Sequence, residues 1–171
     1  MNKSILADNI QLQPVTLADK QVLQNILELY VYDFTEYMDF DLDESGLFHY
    51  PLEAYWLLPH HYAFFIRTNA KLTGFVLIRP YNPEEKNLIY SIGEFFVLKK
   101  YRKKGVGTYV AQLIFDKFPG PWLIYESQKN YPAQNFWRKV IAERTQGNFK
   151  EYVKNNKSHQ EFLIRATDQC R

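Results

Sequence analysis

One stretch, residues 93–108, constrains the fold of this chain more than any other part of the sequence. Its first part, Gly93 to Leu98, is rich in Phe and Val, a composition typical of a strand buried on both faces. Five positive charges follow within residues 99–104, and two glycines in residues 105–107 then allow a tight turn. From Val106 the apolar residues recur at the i, i+3, i+4 and i+7 positions of one helical face. The stretch therefore predicts a strand, a basic glycine turn and a helix in immediate succession.

A strand, turn and helix in this order favour phosphate binding. Several backbone N–H groups and the positive end of a helix dipole point at one spot, which is the geometry that binds phosphate. Two familiar signatures do not fit the spacing: the P-loop pattern is absent, and the dinucleotide-binding pattern Gly-x-Gly-x-x-Gly fails because position 110 is Val. A plain glycine turn beside a solvated run of charges is the alternative explanation.

The segment Arg102-Lys-Lys-Gly-Val-Gly107 resembles the pyrophosphate-binding signature of the GNAT superfamily of acyl-CoA-dependent N-acetyltransferases, Arg/Gln-x-x-Gly-x-Gly/Ala. A second segment follows the apolar run 122–125 and is similar to the family pattern Asn-x-x-Ala/Ser-x-x-Phe-Tyr. It matches at Asn130, Ala133 and Phe136, whereas Trp137 stands where the family often has tyrosine.

The order of predicted elements fits the family from about residue 10 to residue 166. The resemblance implies a single N-acetyltransferase domain over residues 1–171, with its core at about 10–166. The implied fold is α/β of the α+β kind: a mixed, mostly antiparallel central sheet with a splayed central strand pair and helices on both faces. Gly93, inside a strand, predicts a bulge or a close backbone approach. Family members have a splayed bulge here, where acyl-CoA enters between two strands.

The resemblance implies acetyl-CoA as co-substrate and no metal. The Val97 amide is expected to bind the thioester oxygen as that oxygen gains negative charge. The full set of expected cofactor-binding residues is Phe96, Val97, Arg102, Lys103, Lys104, Gly105, Val106, Gly107, Thr108, Asn130, Ala133 and Phe136.

Transfer to an amine also needs a base, because a lysine-like amine is mostly protonated at neutral pH. Glu94 is the expected base: it adjoins an apolar run that would raise its pKa, and many family members carry an acidic residue at this place. A carboxylate at an exposed strand end, or one paired with Arg, is the alternative. Glu126 is the reserve. Because indole cannot supply a proton, Trp137 leaves the acid to Tyr131 or Tyr125, or the thiolate leaves unaided.

Acidic and aromatic residues alternate over positions 33–44, a pattern that suits a cationic amine. The segment after the first helix usually contributes to the acceptor site in the family. An exposed acidic loop is the alternative explanation. The expected substrate-binding residues are Tyr37, Asp39, Asp41 and Glu126.

Further patterns predict the remaining elements. Residues 9–15 predict an edge strand, Thr16 an N-cap, and a stripe from Leu23 to Phe34 a helix that packs in the core. Residues 63–67 and 72–79 predict a hairpin, and residues 144–153 and 159–166 a closing hairpin. The adjacent His60 and His61 lack the spacing of a metal site.

Composition limits the function classes. The net charge of +2 argues against a bulk nucleic-acid binder, and the single Cys170 excludes an internal disulfide framework. With no apolar leader and no long apolar run, the sequence predicts a cytoplasmic protein without a membrane partner. We expect an acetyl-CoA-dependent N-acetyltransferase of a small or peptidyl amine, monomeric or homodimeric. The alternative is a non-catalytic acyl-CoA-binding or sensing domain.

Overall fold

A computed structural model describes residues 9–166; the N-terminal residues and Cys170 lie outside this range. The strands are β1 Ile10–Pro14, β2 Tyr62–Thr68, β3 Lys71–Pro80, β4 Tyr90–Val97, β5 Gly120–Ser127, β6 Phe149–Lys154 and β7 Lys157–Ile164. The helices are α1 Lys20–Phe34, α2 Ala54–Leu57, α3 Val106–Lys117 and α4 Tyr131–Thr145, with short 3-10 turns at Leu17–Asp19 and Lys99–Tyr101.

The strands form one sheet in the order β1-β2-β3-β4-β5-β7-β6. Neighbours run antiparallel except β4 and β5, which are parallel and pair at Tyr90–Trp122 before they diverge. This confirms the predicted mixed, mostly antiparallel sheet with a splayed central pair. Beyond this pair, β4 leads away to the glycine turn and α3, whereas β5 stays paired with β7 over its full length. The two strands therefore separate.

A hydrophobic core lies on each face of the sheet. On one face α3 and α4 pack through Val110, Ile114 and Trp137 against Trp122 and Ile124 of β5. On the other face α1 and α2 pack against β2 and β3, with Leu23, Leu27, Phe65, Phe75 and Leu77 fully or almost fully buried. Helices on both faces were predicted. Burial of each Leu or Phe side chain contributes about 1.5–3 kcal/mol to the free energy of unfolding. The cores on the two faces together hold the central strand β4 in place.

Local signals explain most element boundaries. The Thr16 N–H and hydroxyl both donate to Asp19 Oδ2, at 3.0 and 2.7 Å, which opens the α1 segment. Asn69 and Ala70 have positive φ angles of 51° and 61° and close the β2–β3 hairpin. Among residues 9–166, no helix combines the length and apolar character needed to cross a bilayer.

The predicted start of the closing hairpin at Arg144 is wrong. Arg144 is still helical, and α4 ends only where Gln146 and Gly147 take positive φ angles of 55° and 81°. Arg144 Nη2 lies 2.5 Å from Asp116 Oδ1 of α3, which ties the last turn of α4 to its neighbouring helix. The hairpin itself turns at Asn155 and Asn156, both left-handed.

Candidate functional site

The open edge of β4 faces the gap left by β5. The Leu98 N–H donates to the Thr73 carbonyl at 2.9 Å, so the amide of Leu98 points towards β3. Amide direction alternates along an antiparallel strand. The N–H groups of Phe95 and Val97 therefore point into the gap, where an extended ligand could accept hydrogen bonds.

A cavity of about 480 Å³ occupies this gap and the space beside it. Four elements surround it: the end of α1, the end of β4, the glycine turn and the start of α4. Ten of the twelve expected cofactor residues line it, namely Phe96, Val97, Arg102, Lys103, Gly105, Gly107, Thr108, Asn130, Ala133 and Phe136. The other two do not: Val106 is buried in the core and Lys104 is exposed outside the cavity lining.

Backbone conformation explains the glycines of the turn. Gly105 has a φ of 82°, a left-handed conformation that is unstrained in glycine. A Cβ atom on Gly107 would lie 3.3 Å from the Phe136 ring, so the small residue lets α3 and α4 approach each other. The first N–H groups of α3 have no partner within the helix and open towards the cavity that these glycines line. This end of α3 can therefore hold an anion.

The Asn130 side chain fixes the start of α4, because its Oδ1 accepts from the Ala133 N–H at 3.1 Å. Asn130 is buried, as expected for a cap between β5 and the cavity. Trp137 packs in the core against the rings of Phe95 and Phe136, with centroid distances of 5.2 and 4.9 Å. Its indole therefore serves as packing for the cavity wall.

Arg102 joins the glycine turn to α1. Its Nε donates to the Val97 carbonyl at 2.6 Å, and its Nη2 lies 2.7 Å from Asp33 Oδ2. Lys99 Nζ lies 3.0 Å from the other oxygen of Asp33. Burial raises the pKa of Asp33, but the bonds and charges of Arg102 and Lys99 outweigh it and hold that pKa below its usual range. The guanidinium thus positions the turn, a contact that the sequence did not reveal.

Glu94 follows a β-bulge. Leu77 pairs with Glu94 while Ile78 pairs with Ile92, which leaves Gly93 as the extra residue and confirms the predicted irregularity. The Glu94 carboxylate accepts hydrogen bonds from the Tyr30 hydroxyl, through Oε2, and from the Tyr50 hydroxyl, through Oε1 at 2.8 Å.

The electrostatics of Glu94 follow from this enclosure. Burial raises the pKa of Glu94, and the two tyrosine hydrogen bonds and the charges of Arg79 and Lys157 oppose that rise. Burial also raises the pKa values of Tyr30 and Tyr50, so both stay protonated and donate. A carboxylate offers about four acceptor positions, and two remain for a water or an amine. The geometry suits a base.

Arg79 crosses the bulge on the same face as Glu94. A Cβ atom on Gly93 would lie 3.3 Å from Arg79 Nε and 2.7 Å from the Tyr55 hydroxyl. Beyond Gly93, Arg79 Nη2 donates to the Tyr125 hydroxyl at 2.5 Å. The absent side chain of Gly93 is therefore what lets Arg79 reach from β3 to β5.

The remaining expected residues lie in different surroundings. Tyr37 lines the cavity, whereas Asp39 and Asp41 are exposed and do not line it. Tyr131 is 69% exposed at the start of α4 and does not line the cavity. Glu126 is buried on the α4 face of β5, where burial raises its pKa to about 7. Its Oε1 has no hydrogen-bond partner within residues 9–166.

A second, larger groove of about 1170 Å³ runs between α3 and α4 and shares Gly105 and Thr108 with the first cavity. Lys139, Arg144 and Arg165 line it together with Glu143, and Tyr109 supplies a ring. Lys139 pairs with Glu143 and Arg144 with Asp116, whereas Arg165 forms no ion pair within residues 9–166. The part of the chain that the structure describes holds no cluster of three or more metal-ligating side chains.

Sequence reasoning also misses three residues around Glu94. It places Tyr30 in core packing and does not single out Tyr50 or Arg79. The sequence carried one signal for Tyr30. A tyrosine on the buried stripe of a helix needs a hydrogen-bond partner for its hydroxyl, and a carboxylate on the sheet beneath is such a partner.

Comparisons with known proteins identify the family and the fold. The model of the acetyltransferase (GNAT) family matches residues 23–141. An acetyltransferase from Thermus thermophilus has the same fold with a TM-score of 0.70 at 14% identity, over 91% of this chain and 97% of that one.

Two further structures were solved with a ligand. The yncA protein of Salmonella typhimurium, with its cofactor acetyl-CoA, gives a TM-score of 0.62 at 15% identity, over 95% of this chain and 99% of that one. The ribosomal α-N-protein acetyltransferase RimL, in complex with coenzyme A, gives 0.61 at 12% identity, over 95% and 98%. No curated protein matches the sequence at a significant level.

Proposed function

Because this chain belongs to the GNAT family of acetyltransferases, we propose that it transfers the acetyl group of acetyl-CoA to a primary amine, on a small molecule or a peptide, in a ternary complex. One coincidence supports this function: the glycine turn, the N-terminus of α3 and the open edge of β4 meet at a single cavity. The yncA and RimL structures, which hold acetyl-CoA and coenzyme A, have the same fold.

The cofactor would bind along three regions. Its pyrophosphate would lie against the turn 102–108, where backbone N–H groups and the α3 dipole favour an anion. Its pantetheine arm would enter the gap and accept hydrogen bonds from the β4 edge. The adjoining α3–α4 groove, with Lys139 and Arg165, suits the nucleotide end.

The thioester oxygen gains negative charge as the amine attacks, and the Val97 N–H is our candidate donor for it. A fixed amide that faces a narrow gap stabilises this charge without reorganisation. This attack would form the new C–N bond, and the C–S bond would break as the carbonyl is restored and the thiolate leaves.

Glu94 is our candidate base. Its partly buried carboxylate lies on the α1 face of β4. Glu94 does not itself line the cavity, but its hydrogen-bond donor Tyr30 does, so an amine that enters from the α1 side would come close to it. A pKa raised by burial makes Glu94 a stronger base than a solvated carboxylate. The amine proton would pass to Glu94, directly or through one water.

The leaving thiolate needs a proton. Tyr131 and Tyr125 are the candidates from the sequence. The exposure of Tyr131 favours Tyr125, which is half-buried and accepts a hydrogen bond from Arg79 Nη2. Replacement of each tyrosine by Phe separates the two, because loss of the acid lowers kcat and leaves acetyl-CoA binding intact.

A non-catalytic acyl-CoA-binding domain is the second candidate. Trp137 favours it, since the family's frequent tyrosine is replaced by a buried indole that cannot donate a proton to a thiolate. Such a domain would bind acetyl-CoA and release no thiol in the presence of amines.

The first test is calorimetric titration with acetyl-CoA, followed by thiol release with a panel of amines. Gly107→Trp should abolish binding, because its side chain would enter the space held by Phe136. Gly147→Ala is the control: Gly147 lies outside the turn, and nothing lies within 4 Å of its Cβ position. Equal loss in both variants, or no binding by the wild type, would contradict the proposed cofactor site.

A further inference from the structure

Arg79 carries a positive charge that acts on the Glu94 carboxylate without forming an ion pair with it. Its side chain is half-buried, and no ion pair forms at Arg79 among residues 9–166. Its guanidinium donates to the Tyr125 hydroxyl and leaves other N–H groups available. A guanidinium cannot lose its charge in a protein, so a half-buried and unpaired one favours an anionic ligand.

Two lysines extend this positive charge along the β6–β7 hairpin. Lys157 Nζ lies 4.6 Å from the centroid of the Tyr125 ring. Lys157 and Lys154 are directly opposite each other across the two strands, so both side chains point to one face. Like charges at opposed positions repel each other. Neither lysine forms an ion pair in the described part of the chain.

Aromatic rings line the same face. The Tyr81 and Tyr125 rings lie 5.9 Å apart, Tyr125 and His159 5.6 Å apart, and His159 stacks on Tyr152 at 5.2 Å. Tyr152 and His159 are opposed across β6 and β7. On β7, the carboxylate of this face is Glu161, which lies opposite Lys150 and away from the hairpin end.

This face is continuous with Glu94. Gly93 and Tyr125 each lie three residues beyond the paired Tyr90 and Trp122, so they are level with each other across the gap. Trp122 and Ile124 pack in the α3–α4 core, so the alternating Tyr125 points to the α1 face, as Glu94 does. The positive charges of Arg79 and Lys157 both act on the Glu94 carboxylate.

We propose that the acceptor amine also carries a carboxylate, which Arg79 and Lys157 bind while the amine lies at Glu94 and the acceptor's apolar part lies against the Tyr125 and His159 rings. The inference rests on the proposed acetyl transfer for the role of Glu94. It narrows the acceptor from any primary amine to amino-acid-like compounds, in which the amine and the carboxylate are a few bonds apart.

Binding tests the carboxylate site without the cofactor or the chemistry. The probes are N-acetyl-L-phenylalanine, which is the product expected from such an acceptor, and its carboxamide, titrated into the full chain by calorimetry. We expect the acid to bind at least tenfold more tightly than the amide. Arg79→Gln and Lys157→Gln should each remove most of that preference, whereas Lys150→Gln, on the same face opposite Glu161, should keep it.

Equal binding of acid and amide, or an unchanged preference in Lys157→Gln, would overturn the inference. Lys157 is exposed, so this variant remains informative if Arg79→Gln folds poorly. Because these titrations need no acetyl-CoA, a protein that selects the acid yet fails to bind acetyl-CoA would retain the carboxylate site and lose the proposed function.

Turnover gives the second readout. With acetyl-CoA saturating, we expect phenylalanine to exceed phenylalaninamide in kcat/KM, and Lys157→Gln to reduce the ratio of the two values at least fivefold. The two amines differ in basicity, but this difference affects the wild type and the variant equally. It therefore cancels when the kcat/KM ratio of one protein is compared with that of the other. A ratio that is the same in wild type and variant would contradict the proposal even if both amines are acetylated.

Discussion

Asp33 at the end of α1 and Arg102 in the glycine turn form an ion pair of 2.7 Å across 69 residues of sequence. Lys99 binds the second oxygen of Asp33, and Arg102 also donates to the Val97 carbonyl. The turn is therefore held from both sides, by the helix that borders the cavity and by the strand whose amides face it. If the turn binds phosphate as proposed, Arg102 can act in two ways: by holding the shape of the turn through these contacts, or by adding positive charge.

Two single variants, Arg102→Gln and Asp33→Asn, separate the effect of Arg102 on the shape of the turn from the effect of its charge. The variants change the local charge in opposite directions but break the same contact. If the contact orders the turn, each should weaken acetyl-CoA binding about fivefold, because a partly exposed ion pair contributes about 1 kcal/mol. Calorimetry provides the measurement, with exposed Asp39→Asn as the control. Tighter binding in Asp33→Asn would instead indicate a purely electrostatic role.

Replacing Glu94 with Gln should lower kcat about 100- to 1000-fold, since general-base catalysis contributes gains of this order. Acetyl-CoA binding should remain. In the wild type the rate should rise with pH as Glu94 loses its proton, at a pH above the usual carboxyl range because its pKa is raised. Turnover measured from pH 5 to pH 9 checks both statements, and an unchanged pH profile in Glu94→Gln would exclude Glu94 as the base.

Replacing Tyr50 or Tyr30 with Phe should move that pH profile in a defined direction. Each hydroxyl donates to the charged carboxylate and so lowers the pKa of Glu94 against the effect of burial. Without one donor the pKa rises further, and the acid limb of kcat should shift to higher pH. Tyr32→Phe, an exposed tyrosine on the same helix, is the control. A lower kcat with the acid limb in place would indicate a packing role alone.

Local chemistry made part of this molecule predictable. The start of α3 at Val106 and the Gly93 bulge depend on residues close in sequence, and the structure agrees with both. The environment of Glu94 depends on residues far away in the sequence. Tyr30 and Tyr50 lie 64 and 44 positions from Glu94, and Arg79 lies 46 positions from Tyr125. Such contacts depend on which helix crosses which strand, and neither periodicity nor spacing encodes that.

Replacing Glu126 with Gln should stabilise the protein at alkaline pH. The pKa of Glu126 is about 7 in the fold, against 4.5 as a model value, so its carboxyl group favours folding below pH 4.5 and loses that contribution as the pH rises through 7. The full loss is about 3 kcal/mol at most. Urea unfolding at pH 5 and pH 8 should show a gain for Glu126→Gln only at pH 8. The exposed Glu161→Gln should change little at either pH.

Replacing Gly93 with Ala should disturb the fold and the acceptor side of the site together. Its Cβ would lie 2.7 Å from the Tyr55 hydroxyl, so either the tyrosine or the bulge must shift, at a cost of about 1–3 kcal/mol. The same atom obstructs Arg79 on its way to Tyr125, and the preference for a carboxylate should fall with it. Gly46→Ala is a matched control, because Gly46 has open space around its Cβ position and bears only the strain of a φ of 76°. If Gly93→Ala loses stability but keeps the preference of the wild type for the acid over the amide, Arg79 does not need its path across the bulge to bind the anion.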